Sequence, residues 1–401
     1  MLTPDELRAR VRAFLAEHDP RQTPTQEWLN ARFDAGLAWV HYPEGLGGLG
    51  LSRSLQHIAD AEFAAAGAPD NNSGRNAIGL GMAAPTILAY GTEEQQKRWL
   101  RELWTGREVW CQLFSEPGAG SDLAALATRA MREKGEGEVG GGTWVVSGQK
   151  VWTSQAHLAR RALLVTRSDP DVPKHAGLTY FAVDMTAPGV EVRPLRQITG
   201  EAEFNEVFLT DVRIPDEDRI GPVGEGWKVA TATLMSERVS IGSGRAAPRE
   251  AGMIGPSAAT WRAHPELRTP GLHERLLRLW TEAEVARLAA ERMRQQLAAG
   301  QPGPAGSAAK LVFARLNQEI SGLDVELNGV AGLRYDDWSM RRPEHATFFG
   351  RGPGYRYLRA KGNSIEGGTS EILRNIIAER VLGLPPEPRL DKDLPWKDLP
   401  R

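Results

Sequence analysis

Apolar residues in the opening stretch "MLTPDELRARVRAFLAEHD" fall at Leu7, Val11, Phe14 and Leu15, a helical spacing behind Thr3 as cap and Pro4 at the first helical position. The same Ala/Leu-rich periodicity marks "SLQHIADAEFAAAG", "GLGMAAPTILAYG" and "TEEQQKRWLRELWTG". The last is headed by Thr92, with acidic residues in its first turn. From 109 to 222 the texture changes to short apolar or β-branched runs punctuated by Gly, Pro and Asp: "TWVVSGQKVWTS", "RALLVTRS", "GLTYFAVDMT", "VEVRPLRQI" and "EVFLTDVRIP". These runs predict strands. Helical patterns return over 223–385, including "GWKVATATLMSERVSIG", "GLHERLLRLWTEAEVARLAAERMRQQLAAG" and "AAKLVFARLNQEISGLDVELNGVAG", and 386–401 is a Pro-rich, charged tail expected as an extended arm. The order is α (1–108), then β (109–222), then α (223–385): a mainly α chain with a central β domain.

This segregation argues against a doubly wound fold, in which strands and helices alternate. "GLGGLG" at 45–50 satisfies G-x-G-x-x-G but lacks the βαβ unit that dinucleotide binding requires, so it reads as a structural turn. At 401 residues, 41% apolar and 25% charged, the chain is an ordinary globular protein with room for two or three domains. A formal net charge of -2 offers no basic field for nucleic acid. No apolar run approaches the roughly 20 residues of a membrane span, and the first helix is not a signal peptide. The one cysteine, Cys111, excludes an internal disulfide framework and fits a reducing, cytoplasmic setting; it is expected in the core. Eight scattered histidines argue against a metal site.

Three segments carry chemistry. "CQLFSEPGAGSDLAAL" (111–126) joins a strand end to a Pro-Gly-x-Gly turn where a ligand can approach the backbone, and "GQKVWTSQA" (148–156) sets Trp152 beside Thr153 and Ser154, an aromatic plane with short hydroxyl donors. Taken singly, Trp152 also reads as a core aromatic. "SIEGGTSEILRNIIAER" (364–380) places two glycines and a capping Thr369 or Gly368 before a helix carrying Ile372, Leu373, Ile376 and Ile377, whose first-turn N–H groups suit an anion or a polar ring.

Together, "FSEPGAGSD", "WTS", "FLTDVRIPDEDRIGPVGEGWKVA", "LMSER" and "EGGTSEILRNIIAERVLG", with "YPEGLGGLGLS" and "AYGTEEQQKRWL" earlier, resemble the acyl-CoA dehydrogenase family in order and spacing over about 30–385. The resemblance implies an N-terminal helical domain, a middle β-barrel or sandwich domain and a C-terminal four-helix bundle, with noncovalent FAD between the last two and across a subunit boundary. It implies that Phe114, Ser115, Gly120 and Ser121 line the flavin and the start of the thioester site, that Trp152, Thr153 and Ser154 lie against the isoalloxazine, and that Thr369 and Glu371 approach from the C-terminal domain. The implied reaction is α,β-dehydrogenation of an acyl-CoA: a carboxylate takes the pro-R α-proton as the β-hydrogen leaves as hydride, and the main-chain N–H of Gly367 helps polarise the thioester carbonyl. Electrons would pass to an electron-transfer flavoprotein, from a homodimer, homotetramer or heteromer. An acyl-CoA oxidase and a non-catalytic partner subunit are the rival readings. The Arg-x-x-Phe-Gly segment common in the family is replaced by "GPSAATWRAHPELRTPGLHERL", which leaves the FAD phosphate contacts unassigned.

Two carboxylates compete for the base. Aligning Gly368-Thr369 on the family motif puts Gly367 where many members have Glu and moves Glu366 one residue upstream, which re-aims its side chain. Relatives acting on branched or long acyl groups place the base at a Glu-Arg pair on the first C-terminal helix, and Glu237-Arg238 supplies one, with Arg238 beside the substrate. Trp227, Ala230, Leu234 and Ile241 form a stripe with Glu237 and Arg238 on its margins. A surface ion pair between these neighbours is disfavoured because adjacent helical residues do not face each other. Glu237 is the expected base and a branched or bulky acyl group the expected substrate.

Overall fold

A computed structural model describes residues 2–133, 142–242, 247–298, 305–335, 337–344, 351–389 and 391–399, without the side chains of 237–242, 297–298 and 305. Two units emerge, the first comprising 1–193, 205–236 and 391–401, the second 194–204 and 237–390.

The first unit opens with α1 (Pro4–Glu17), α2 (Thr25–Asp34), α3 (Gln56–Ala65), α4 (Ala84–Tyr90) and α5 (Glu93–Trp104). Capping boxes at Thr3/Glu6 and Thr92/Gln95 start α1 and α5 where the sequence predicts, each satisfying two otherwise orphaned N–H groups. Phe14, Trp28 and Phe63 meet edge to face, 5.5–6.0 Å between ring centroids, and tie α1, α2 and α3 together. "GLGGLG" is a turn that this chain's own packing needs. Gly47 and Gly50 have φ of 85° and 64°, and a Cβ on Gly48 would lie 2.0 Å from the Tyr42 carbonyl oxygen.

Seven strands follow among the described residues: β1 (Trp110–Leu113), β2 (Arg129–Glu133), β3 (Thr143–Ser154), β4 (Arg161–Arg167), β5 (Leu178–Asp184), β6 (Val190–Pro194) and β7 (Phe204–Pro215). They form one sheet in the order β1-β4-β2-β3-β7-β6, with β5 paired to β4. β4 is buried throughout. Leu163 and Val165 enter the core shared with the helices, while Ala162 and Leu164 join Cys111, Trp144, Phe181 and Val207 on the other side, so its unbroken apolar run reflects burial on both faces. β2 escaped the sequence reading because only Ala130 of its five residues is buried.

α6 (Gly226–Gly242) continues past the first unit at Ser236. Its buried face is Val229, Ala230 and Thr233, with Trp227 and Leu234 packed at the flanks, a rotation of the stripe read from sequence. A polar residue can take the centre of that face because the Thr233 hydroxyl bonds to Thr86 (2.9 Å) and Tyr180 (3.0 Å).

The second unit holds α7 (Ile254–Ala263), α8 (Pro270–Ala298), α9 (Ala305–Leu327), α10 (Gly329–Gly332), α11 (Pro353–Ala360) and α12 (Ser370–Arg380). Leu316, Ile320, Leu323 and Leu327 run down one side of α9 and bury against Leu276 and Leu279 of α8 and Ile254 of α7. No helix among the described residues is long and apolar enough to cross a membrane.

Candidate functional site

In the first unit, "SEPGAGSD" leaves β1 and turns back at once: Glu116 and Ala119 exchange both backbone hydrogen bonds at 3.0 Å. Phe114 is buried edge to face on Tyr180, 6.0 Å away, and the Ser115 carbonyl accepts from the Val151 N–H at 2.9 Å, which joins the loop to β3. Beyond Ser115 the loop opens outward, and Gly120 and Ser121 are exposed. A Cβ on Gly118 or Gly120 would meet nothing within 4 Å among the described residues. Unlike the glycines at 45–50, these two are not demanded by the chain's own packing; they leave backbone open to a ligand.

β3 breaks its alternation at the second motif. Trp152 has φ of 59°, a region that large side chains rarely adopt and that costs on the order of 1–3 kcal/mol. The kink leaves the indole 58% exposed, while the neighbouring Thr153 is buried and its Oγ1 has no hydrogen-bond partner among the described residues. Ser154 is half-buried, and the buried Asn205 amide holds the Thr153 carbonyl at 3.0 Å. A strained, outward-facing aromatic next to an orphaned buried hydroxyl and a glycine-opened loop fits a flat heteroaromatic group such as a flavin ring.

Beneath this surface lies a buried ion pair that sequence reasoning missed. Lys150 Nζ donates to Glu116 Oε1 (2.8 Å) and to the Phe114 carbonyl (3.0 Å), and the Glu116 carboxylate also accepts from the N–H groups of Ala127 (2.7 Å) and Thr128 (2.9 Å). Burial opposes charge on both partners and pushes the Lys150 ammonium down, but Lys150 and those N–H groups hold the Glu116 carboxyl below its ordinary range. The available signal was a lysine in the middle of an apolar strand pattern. Cys111, as expected, is core: burial pushes its thiol up, out of reach of nucleophilic chemistry at neutral pH.

In the second unit, Gly367 (φ 62°) and Gly368 (φ 92°) form the turn into α12, and Thr369 caps it by accepting from the Ile372 N–H at 3.2 Å. The Gly367 N–H donates to no acceptor among the described residues. The turn is held from α9, where Lys310 Nζ bonds the carbonyls of Asn363 and Gly368, both at 2.7 Å. Glu366 is engaged: Arg359 grips it with two bonds (2.9 and 3.1 Å) and the Asn363 amide with a third (2.6 Å). Arg359 also reaches Glu203 at 3.1 Å, whose carboxyl burial raises despite the opposing guanidinium. Glu371 is exposed and pairs with Arg374 at 3.3 Å. Glu237 and Arg238 belong to α6, one turn beyond Thr233; their side chains lie outside the described residues.

Residues 4–107, 111–212 and 224–382 match, in turn, the N-terminal, middle and C-terminal domains of acyl-CoA dehydrogenases. The chain is 39% identical to acyl-CoA dehydrogenase FadE34 of Mycobacterium tuberculosis over 94% of its own length and 49% of that protein, so it spans about half of that relative. It is 37% identical to acyl-CoA dehydrogenase IpdE1 of the same organism, over 96% of this chain and 98% of the relative. Among solved structures it resembles the Tcur3481-Tcur3483 steroid ACAD (26% identity, TM-score 0.70, 96% of this chain and 98% of that one). It also resembles the ChsE4-ChsE5 complex from Mycobacterium tuberculosis (28% identity, TM-score 0.65, 96% and 99% covered).

Proposed function

Because the chain belongs to the acyl-CoA dehydrogenase family, with its three-domain fold, we propose that it converts an acyl-CoA thioester to the trans-2-enoyl-CoA. The observation that carries the reading is the Trp152–Thr153 corner, a strained exposed indole beside a buried hydroxyl that has no hydrogen-bond partner among the described residues. FAD, the family's cofactor, supplies when bound the two-electron acceptor for the β-hydrogen.

Trp152 would hold the flavin ring and keep water from it, Thr153 and Ser154 would donate hydrogen bonds to it, and the open backbone at Gly120 and Ser121 would admit cofactor and thioester. Gly367 donates its N–H to the thioester carbonyl oxygen, which stabilises charge there as the α-proton leaves. The Glu237 carboxylate takes that proton, and Arg238 lies alongside the substrate. Engagement of Glu366 by Arg359 and Asn363 supports this choice, since a carboxylate with three bonds already made is poorly free to move onto a proton. Thr369 and Glu371 approach the flavin from the start of α12.

The acyl group is branched or bulky, with a steroid-derived acyl group as the leading class, a choice supported by the proposed base position and by resemblance to a steroid ACAD. Electrons leave to an electron-transfer flavoprotein. Resemblance to a two-component complex favours a second arrangement, in which a different chain completes the site. Anaerobic titration of the flavin-loaded protein with straight, branched and steroid-derived acyl-CoAs tests both. Flavin bleaching by a bulky thioester is the expected result. Bleaching only after a second chain is added assigns the half-site role, and a folded protein that takes up no FAD overturns the reading.

A further inference from the structure

The C-terminal residues 391–399 lie beyond the family match, which ends at 382, and they belong to the first unit. The extended arm expected from their composition is docked on this unit. The Trp396 backbone N–H donates to the Val172 carbonyl at 2.9 Å, and Pro395 forms a β-bridge with Pro173. The Trp396 indole N–H reaches the Ala125 carbonyl at 3.1 Å, with the Arg167 guanidinium 4.9 Å over the ring. Arg167 in turn binds the carbonyls of Ala124 and Leu126, so three successive carbonyls, 124 to 126, are held by one guanidinium and one indole. Lys174 completes the strap, bridging Asp122 (2.7 Å) and Asp391 (2.6 Å).

These contacts end on the residues that follow Ser121. Leu123, Ala124 and Leu126 bury the apolar side of this limb in the core, but its own backbone bonds are short-range, and Gly118 and Gly120 before it contribute no packing. We propose that the C-terminal segment, through Trp396 and Asp391, positions the 121–126 limb of the cofactor loop, acting through Arg167 and Lys174 rather than by touching cofactor or substrate. The inference rests on the proposed function for what the loop holds, but not for the strap itself.

Hydrogen exchange of the apo 401-residue chain, read by mass spectrometry, tests the strap, and flavin fluorescence titration tests its consequence. In Trp396→Ala, amides of 121–128 are expected to exchange ~10-fold faster or more while those of β4 and β5 are unchanged, because a local tie and not the core is lost. FAD affinity is expected to fall ~10-fold through lost preorganisation. Trp396→Phe, which keeps a ring under Arg167 but not the indole N–H, falls between. Lys397→Ala, which removes only the exposed pair with Asp171, matches the wild type. Unchanged exchange at 121–128 in Trp396→Ala overturns the proposal, and so does faster exchange with unaltered FAD affinity. If the wild type itself binds no FAD, the functional reading falls while the exchange comparison still decides the strap.

Discussion

Replacing Lys150 with Met keeps most of the buried stem and removes the ammonium that faces Glu116 at 2.8 Å, with side chains 0% and 9% exposed. Breaking a buried pair from one side leaves an uncompensated charge, typically at a cost of about 3–5 kcal/mol. An upper limit follows from chemistry: the stranded carboxyl can take a proton, which at pH 7 costs about 3.7 kcal/mol from an ordinary pKa near 4.3. Losing the bond to the Phe114 carbonyl adds about 1 kcal/mol, while the N–H groups of Ala127 and Thr128 and the nearby Arg167 soften the loss, and removing a buried ammonium recovers its own desolvation. The expected destabilisation is about 3 kcal/mol at neutral pH, measured by urea unfolding of the apo protein. It carries a pH signature. In the wild type Glu116 is held below its unfolded pKa, so its contribution is full above about pH 4.3 and is lost as pH falls through the folded value. In the variant the unpaired carboxyl is raised, so the variant recovers as pH drops from 7 toward about 5 and the gap narrows. Adding Glu116→Gln to Lys150→Met should restore part of the loss, a coupling of about 2 kcal/mol. A loss below about 1 kcal/mol at pH 7, or one that does not change with pH, refutes the reasoning.

Glu237→Gln should retain FAD but slow substrate-driven flavin reduction by at least ~10³-fold in stopped-flow traces, whereas Glu366→Gln has a modest effect; the reverse outcome moves the base to Glu366. The methyl of Gly120→Ala meets no atom of the described residues, so apo stability should stay within about 0.5 kcal/mol while FAD affinity falls; a destabilised apo protein would contradict the open-backbone reading. Trp152→Ala should weaken flavin retention, with cofactor content and the flavin spectrum as the measurement, and unchanged values would remove Trp152 from the flavin site. Thr369→Ala should cost about 1 kcal/mol by loss of the cap on α12, read in thermal unfolding.

Local pattern was enough for the order of helices and strands, for the caps at Thr3, Thr92 and Thr369, and for the motifs that mark the family, because each depends on residues a few positions apart. The same locality explains the misses. β2 shows one buried residue in five, since it is defined by pairing with β3 rather than by a face of its own. Glu116 meets Lys150 34 positions away, and Trp396 meets Ala125 across 271, distances at which no periodicity carries information. The tail's composition suggested an arm; docking was decided by distant acceptors that Trp396 meets, the carbonyls of Ala125 and Val172. Trp152 was visible as a candidate, but its strained φ and the orphaned hydroxyl of Thr153 arise only when β3 is fixed by its neighbours. Glu366, conspicuous in the sequence, is claimed by Arg359 once α11 folds beside the turn, because a half-buried carboxylate takes the nearest cation before it is free to do chemistry.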